Sequence, residues 1–137
     1  MIFLDTNVVS ETFRHTPDPS VIAWLTSHDA ELALPTVTIG EIAFGIAKIP
    51  PDQRARRLAR NLDEWRRRFS GRIFAFNEDA ALAFGGIMGD AIRRGRPMST
   101  ADGMIAAIAK VGKGRLATRN VTDFEGTGVE LICPWSP

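Results

Sequence analysis

Short apolar runs alternate along this chain with longer segments in which apolar residues recur at helical spacing. Such short runs, bounded by polar, glycine or proline residues, are typical of buried strands. They predict five strands, at residues 1–4, 31–35, 72–76, 115–118 and 129–132. The longer segments predict helices, at residues 19–25, 38–49, 52–69, 78–95 and 101–112. Strands that alternate with helices indicate an α/β fold with a central, mostly parallel five-stranded sheet and helices on both faces.

The length of 137 residues predicts a single domain, residues 1–137, because no long linker divides the chain. Apolar residues make up 45% and charged residues 24%, which is typical of a globular protein. The net charge of +1 argues against binding to nucleic acid or membrane through overall charge alone. The single cysteine, Cys133, excludes an intrachain disulfide and is typical of a reducing compartment. With no apolar run long enough to cross a membrane, we expect a cytoplasmic protein.

Four acidic residues lie where an α/β sheet places its ligands. Asp5 follows the first predicted strand and Asp123 follows the fourth, whereas Glu41 and Asp102 lie in the predicted first turns of two helices. Ligands of open parallel sheets bind beyond the carboxyl ends of the strands, near the point where the strand order reverses. We therefore expect the four carboxylates to gather at one end of the sheet.

Each of these acids also has a structural explanation. Thr38 with Glu41, and Ser99 with Asp102, have the spacing of a capping box, and Asp5 or Asp123 could cap a turn. Taken singly, capping is the favoured explanation. Taken together, four converging carboxylates would repel one another and raise one another's pKa unless a cation neutralised them.

The oxygen-rich donor set predicts the kind of cation and substrate. Hard cations prefer oxygen ligands, and no constellation of histidine and cysteine suggests zinc. The acids therefore indicate Mg²⁺, with Mn²⁺ as a possible substitute, and a phosphate ester as substrate.

Four segments resemble a known family in the same order and at similar spacing: MIFLDTNVVSE, TVTIGEIAFGIA, STADGMIAAIA and LATRNVTDFEGTGVELICPW. They are similar to the PIN domain of VapC-type toxins, including the FitB-like branch, and the similarity runs from Met1 to Trp135. The resemblance implies a three-layer α/β/α PIN-like fold. It also implies a Mg²⁺-dependent endoribonuclease, the toxin of a type II toxin–antitoxin pair, inhibited by a VapB-like antitoxin.

The family's site residues can be assigned to positions in this sequence. Asp5 and Asp102 match the two principal metal-binding aspartates, and Glu41 matches a further acid of the metal site. Many members have an aspartate directly after the sequence TR, where this chain has Asn120. Asp123 also matches a recurrent acidic position, so we expect it to be a peripheral member of the site, helped by Asn120.

Short polar side chains beside these acids are candidates for orienting them. Thr6, Asn7 and Thr100 could hold neighbouring carboxylates or bind substrate oxygens. The alternative, that they form ordinary helix N-termini, is about equally plausible and stays open at this point.

An acidic pocket repels a polyanion, so basic residues must bring the RNA to it. Of 17 basic residues 14 are arginine, and the candidates fall into two clusters, Arg93, Arg94 and Arg96 before the acid Asp102, and the arginines of residues 54–68. We favour the first cluster as the phosphate guide because it is closer in sequence to a predicted metal ligand. Arg119 is a further candidate at the rim of the site.

Partners follow from the resemblance. It implies a homodimer, an antitoxin segment in an apolar groove, and contact with DNA only indirectly through the antitoxin. The alternative function is a catalytically weak PIN-like module that acts mainly as the partner of a DNA-binding antitoxin, and Asn120 is the feature that favours it. A phosphatase of the haloacid dehalogenase type is rejected, because its second aspartate is replaced here by Asn7. A small-molecule binding domain of the same architecture would not explain the acid cluster.

Overall fold

The computed structural model describes residues 1–136, and within them five strands form one sheet in which every pairing is parallel. The strand order is β3-β2-β1-β4-β5. The strands are β1 (Ile2–Leu4), β2 (Leu32–Pro35), β3 (Ile73–Phe74), β4 (Arg115–Ala117) and β5 (Leu131–Ile132). The predicted parallel five-stranded sheet is therefore confirmed.

Helices cover both faces of this sheet, and all five predicted helices are present. The helices are α1 (Thr6–Glu11), α2 (Pro19–Ser27), α3 (Thr36–Ala47), α4 (Gln53–Arg68), α5 (Glu78–Arg93) and α6 (Thr100–Val111). Short 3₁₀ turns follow α2 and β4, at Asp29–Glu31 and Val121–Phe124. Only α1 was not predicted, because its six residues span less than two turns and show no full helical period. Among the described helices, none has the length and apolar character needed to cross a membrane.

The alternation of side chains along β1 builds two separate cores. Ile2 and Leu4 pack on one face of the sheet with apolar residues of α1 to α4, such as Val8. Phe3 points to the opposite face and packs with apolar residues of α5 and α6, such as Ile105. Because successive strand residues face opposite sides, β1 is covered on both faces, as expected for the central strand of a three-layer fold.

Helices α5 and α6 approach each other closely at Gly103. A Cβ atom added to this glycine would lie 3.1 Å from both the Met88 Cγ and the Phe84 Cε1 atoms. Gly103 directly follows Asp102, so this close contact fixes the start of α6 and the acid that it presents.

Candidate active site

The order of the strands reverses beside β1. From β1 the chain proceeds outward to β2 and β3, then returns to the other side of β1 to form β4 and β5. The carboxyl ends of β1 and β4 are therefore neighbours at a topological switch point, where parallel sheets bind ligands. Asp5 follows β1 and Thr118 follows β4.

Asp5 is a buried carboxylate at this point, with only 5% of its surface exposed. It caps α1, because its Oδ1 atom accepts a hydrogen bond from the Thr6 backbone N–H (2.8 Å). Its Oδ2 atom accepts one from the Thr118 hydroxyl (2.8 Å). Burial raises the pKa of Asp5 to about 6, the two hydrogen bonds oppose that rise, and the charges of Asp102 and Glu41 add to it. Capping and membership of the acid cluster are thus both true of Asp5.

Glu41 joins the cluster from α3, but not as a capping residue. The helix begins at Thr36 with Pro35 as its N-cap residue, so Glu41 lies beyond the first turn. The predicted capping box of Thr38 and Glu41 is therefore wrong: the Thr38 hydroxyl instead donates to the Leu4 carbonyl oxygen at 2.8 Å, tying α3 to β1. Glu41 Oε1 accepts a hydrogen bond from the Thr6 hydroxyl.

Asp102 is presented by the first turn of α6, as predicted. The Ser99 hydroxyl caps this helix by accepting a hydrogen bond from the Asp102 backbone N–H at 3.1 Å. Half-burial raises the pKa of Asp102, a hydrogen bond with Ser99 lowers it, and the charges of Asp123 and Glu41 raise it. Asp123 itself is exposed in the 3₁₀ turn that follows β4, so it borders the cluster from the solvent side.

The polar residues around the acids differ in what they contact. The Asn7 Oδ1 atom accepts a hydrogen bond from the Arg119 backbone N–H (3.2 Å), which ties α1 to the segment after β4. Asn120 is exposed, and its backbone N–H donates to the Thr118 hydroxyl oxygen at 3.0 Å. Thr100 is exposed at the start of α6.

Thr118 was not singled out by sequence reasoning, although it directly contacts Asp5. It is fully buried, and its hydroxyl both donates to Asp5 and accepts from Asn120. One signal in the sequence could have identified it. Thr118 is the last residue of a predicted strand, and it lies beside Asp5, the residue that follows the parallel strand next to it.

The predicted RNA-binding arginines are largely engaged with the protein itself. Arg93 and Arg94 both pair with Asp90, at 3.5 and 2.7 Å. Arg96 pairs with Glu125 at 3.3 Å and donates to the Thr122 carbonyl oxygen. Arg96 thereby holds the turn that presents Asp123, whereas Arg93 and Arg94 pair only with Asp90 of α5. The Arg119 guanidinium lies 5.1 Å from the centre of the Trp135 ring.

The acidic side chains at this end of the sheet offer only oxygen donors to a metal ion. Within residues 1–136, no three acidic, histidine or cysteine side chains already converge tightly enough to hold an ion. The acids nevertheless interact electrostatically, since Asp5 and Asp102 each feel two like charges that raise their pKa. Mg²⁺ commonly uses only one or two carboxylates and completes its shell with water and phosphate oxygens. An open cluster made only of oxygen ligands fits that requirement.

The fold, the switch point and the acids together define a class of protein. The chain belongs to the PIN domain family, whose sequence profile matches residues 2–128. Nucleases of this family generally depend on divalent metal ions.

Individual relatives resemble the chain over almost its whole length. It is 37% identical to the VapC ribonuclease Y4jK of Sinorhizobium fredii, with 100% of this chain and 99% of the relative covered. It is 36% identical to the toxin FitB of Neisseria gonorrhoeae, with coverage of 98% and 99%. Among solved structures, a chain of FitAB bound to an IR36 DNA fragment superposes with a TM-score of 0.92 at 34% identity, covering 100% of this chain and 97% of that one. The homologues are VapC and FitB toxins of type II toxin–antitoxin systems.

Proposed function

We propose that this protein is the toxin of a type II toxin–antitoxin pair and hydrolyses RNA phosphodiester bonds as a Mg²⁺-dependent endoribonuclease. One observation supports this most directly. Asp5 is a buried carboxylate at the switch point of a PIN domain, and the charges of Glu41 and Asp102 act on it. Buried like charges are unfavourable, and a divalent cation would relieve their repulsion.

In this proposal Asp5, Glu41 and Asp102 hold the metal ion, and Asp123 completes the site from its solvent edge with Asn120 beside it. A bound Mg²⁺ or Mn²⁺ would supply activation of the attacking water and neutralisation of charge on the reacting phosphate. The hydroxyls of Thr6 and Thr118 keep two of the carboxylates in place through their hydrogen bonds.

The remaining polar residues have supporting roles in the proposal. Asn7 holds the backbone at Arg119, and Thr100 is available to a substrate oxygen at the exposed start of α6. Arg93, Arg94, Arg96 and Arg119 are proposed phosphate contacts. Arg93 has the most exposed side chain of the three clustered arginines, at 74%, so we expect it to be the strongest phosphate contact among them.

We further propose a VapB-like antitoxin as partner and a homodimer as the form of the toxin. FitAB, which contains a close structural neighbour of this chain, binds DNA. Contact with DNA would therefore be made through the antitoxin. The exposed Phe44 is a candidate for contact with the antitoxin.

The second candidate function is a catalytically weak module that acts mainly through a DNA-binding antitoxin. Asn120 is the observation that favours it, because a neutral amide stands where many family members have an acid. The retained acids Asp5, Glu41 and Asp102 favour the ribonuclease.

The deciding experiment is cleavage of labelled single-stranded RNA and tRNA by purified protein, freed of antitoxin, with Mg²⁺, Mn²⁺ or EDTA. An Asp5→Asn protein purified in parallel detects contaminating nuclease. We expect cleavage that requires the metal and is absent in the variant. A folded wild-type protein that cuts none of these RNAs under any condition would reject the ribonuclease and favour the binding module.

A further inference from the structure

A groove of about 550 Å³ begins at the acid cluster and runs between α1, α3 and α4. Thr6 and Glu41 line its inner end, so it opens directly onto the candidate site. Its apolar lining comprises Phe13, Ile42, Ile46 and Leu58. Phe13 supplies an aromatic ring that is only partly buried.

The outer part of the groove is basic. Arg54 and Arg57, three residues apart near the start of α4, both line it and both are exposed. Within the described part of the chain, neither forms a salt bridge. Arg14 also lines the groove but pairs with Glu11 at 3.1 Å.

Helix stability does not explain the position of Arg54, which lies in the first turn of α4. The first turn of α4 contains no acidic residue, and the amino-terminal end of a helix is its positive end. Cations placed there are unfavourable for the folded state. In the same helix Arg66 pairs with Asp63 and Arg68 with Asp29. Among the described residues Arg56, Arg60 and Arg67 also form no salt bridge. What distinguishes Arg54 and Arg57 is therefore their position in the groove.

We propose that this groove binds single-stranded RNA and leads it to the acid cluster, with Arg54 and Arg57 contacting phosphates and Phe13 available for base stacking. The inference rests on the ribonuclease function proposed above. An acidic site repels RNA, so a phosphate-binding surface must adjoin it, and the groove joins uncompensated cations to Glu41. A basic groove that also offers aromatic side chains is the usual means of binding single strands without sequence preference.

The test measures binding rather than cleavage. A fluorescein-labelled single-stranded RNA of mixed sequence is titrated in EDTA, by anisotropy, with wild-type protein and with an Arg54→Gln/Arg57→Gln double variant. Two lost phosphate contacts should weaken binding about 20-fold at about 0.1 M salt and reduce the slope of log affinity against log salt by about 1.4.

The matched control is an Arg56→Gln/Arg60→Gln double variant, which removes the same charge from exposed positions of the same helix outside the groove. We expect it to retain most of the wild-type affinity and slope. Equal losses of RNA affinity in both variants would mean that binding depends only on overall positive charge, and would overturn the groove assignment.

The possible failures can be told apart. Normal RNA binding by the Arg54→Gln/Arg57→Gln protein, together with metal-dependent cleavage by the wild type, would overturn the groove proposal and leave the ribonuclease function intact. The groove would then be assigned to a polypeptide partner. Absence of RNA binding and of cleavage in the wild-type protein would reject both proposals.

Discussion

Thr118 donates a hydrogen bond of 2.8 Å to Asp5 from a position 113 residues further along the chain. The contact joins the ends of β1 and β4, the two strands on either side of the switch point. It stabilises the ionised form of a carboxylate whose burial raises its pKa to about 6. The position of the Asp5 carboxylate and its charge state therefore depend on the same hydroxyl.

Replacement of this hydroxyl should shift the pH dependence of activity. In Thr118→Val the side-chain shape is kept but the donor is lost, and a hydrogen bond to a charged group contributes about 1.5–3 kcal/mol, equivalent to about one to two pKa units. We expect the acidic limb of the cleavage rate against pH to move upward by about one unit at fixed Mg²⁺. Thr118→Ser keeps the donor and should retain the wild-type profile. If the cleavage rate of Thr118→Val fell by the same factor at all pH values, the role of the hydroxyl would be structural only.

The buried charge of Asp5 should also make the free energy of unfolding depend on pH. Its pKa is about 6 in the folded protein against 3.8 for the free side chain, so its contribution to the free energy of unfolding is complete below pH 3.8 and is lost as the pH rises through about 6. The loss amounts to about 3 kcal/mol at neutral pH without metal.

Asp5→Asn removes this charge while keeping a good N-cap residue. By urea denaturation in EDTA, the variant should be about 2 kcal/mol more stable than wild type at pH 7.5, with the difference vanishing near pH 4. Saturating Mg²⁺ should stabilise the wild type alone. A variant less stable than wild type at pH 7.5 would show that the carboxylate is favourable even without a cation.

A substitution at Glu41 can separate the effect of its charge from that of its hydrogen bond to Thr6. Glu41→Gln keeps an oxygen that can accept the hydrogen bond from the Thr6 hydroxyl, so only the charge is lost. We expect cleavage to fall at least about 100-fold, as for removal of a group that stabilises charge in the transition state, with little change in the urea midpoint. Glu130→Gln, at an exposed position before β5, is the matched control and should be fully active. Substantial activity in Glu41→Gln would exclude Glu41 from the metal site.

The contact between α5 and α6 predicts opposite effects of two glycine substitutions. Gly103→Ala would bring a methyl group against Met88 and Phe84, and overpacking of this kind lowers the free energy of unfolding by about 1–3 kcal/mol. Gly86→Ala lies in α5 with no atom near its added methyl group. This substitution should raise the free energy of unfolding by about 0.5–1 kcal/mol. Thermal or urea unfolding measures both. Equal effects of the two substitutions would mean that the close approach at Gly103 is unimportant.

The fold was accessible from the sequence because its elements have clear periodicity. Strands such as Ile2–Leu4 are short apolar runs, and the apolar residues of α4 recur at helical spacing. Helix α1 lacks such a pattern because it is short. The start of α3 was misplaced by two residues because Thr38 resembles a capping residue, whereas its hydroxyl bonds to β1. Sequence alone does not distinguish local capping from a tertiary hydrogen bond.

The acids of the candidate site could be named from the sequence, but their environment could not be predicted from it. The degree of burial that raises the pKa of Asp5 depends on packing from several elements. The salt bridge between Arg96 and Glu125 likewise depends on where the end of α5 meets the turn after β4, whereas Arg94 pairs locally with Asp90 of α5. Clusters of arginine in the sequence therefore indicate candidate RNA contacts. The ion pairs formed in the folded chain decide which of these arginines are available to bind phosphate.

The late position of β4 has a consequence for synthesis of the protein in the cell. A chain growing on the ribosome contains Asp5 from the start, but the strand that pairs beside β1 and the hydroxyl that holds Asp5 are made only at residues 115–118. Nascent chains that end before β4 should therefore lack ribonuclease activity, whereas those that expose β4 and Thr118 should acquire it. Arrested nascent chains of both kinds, assayed for RNA cleavage, would measure this. The order of synthesis would thus withhold the proposed ribonuclease activity until β4 has been made and has paired with β1.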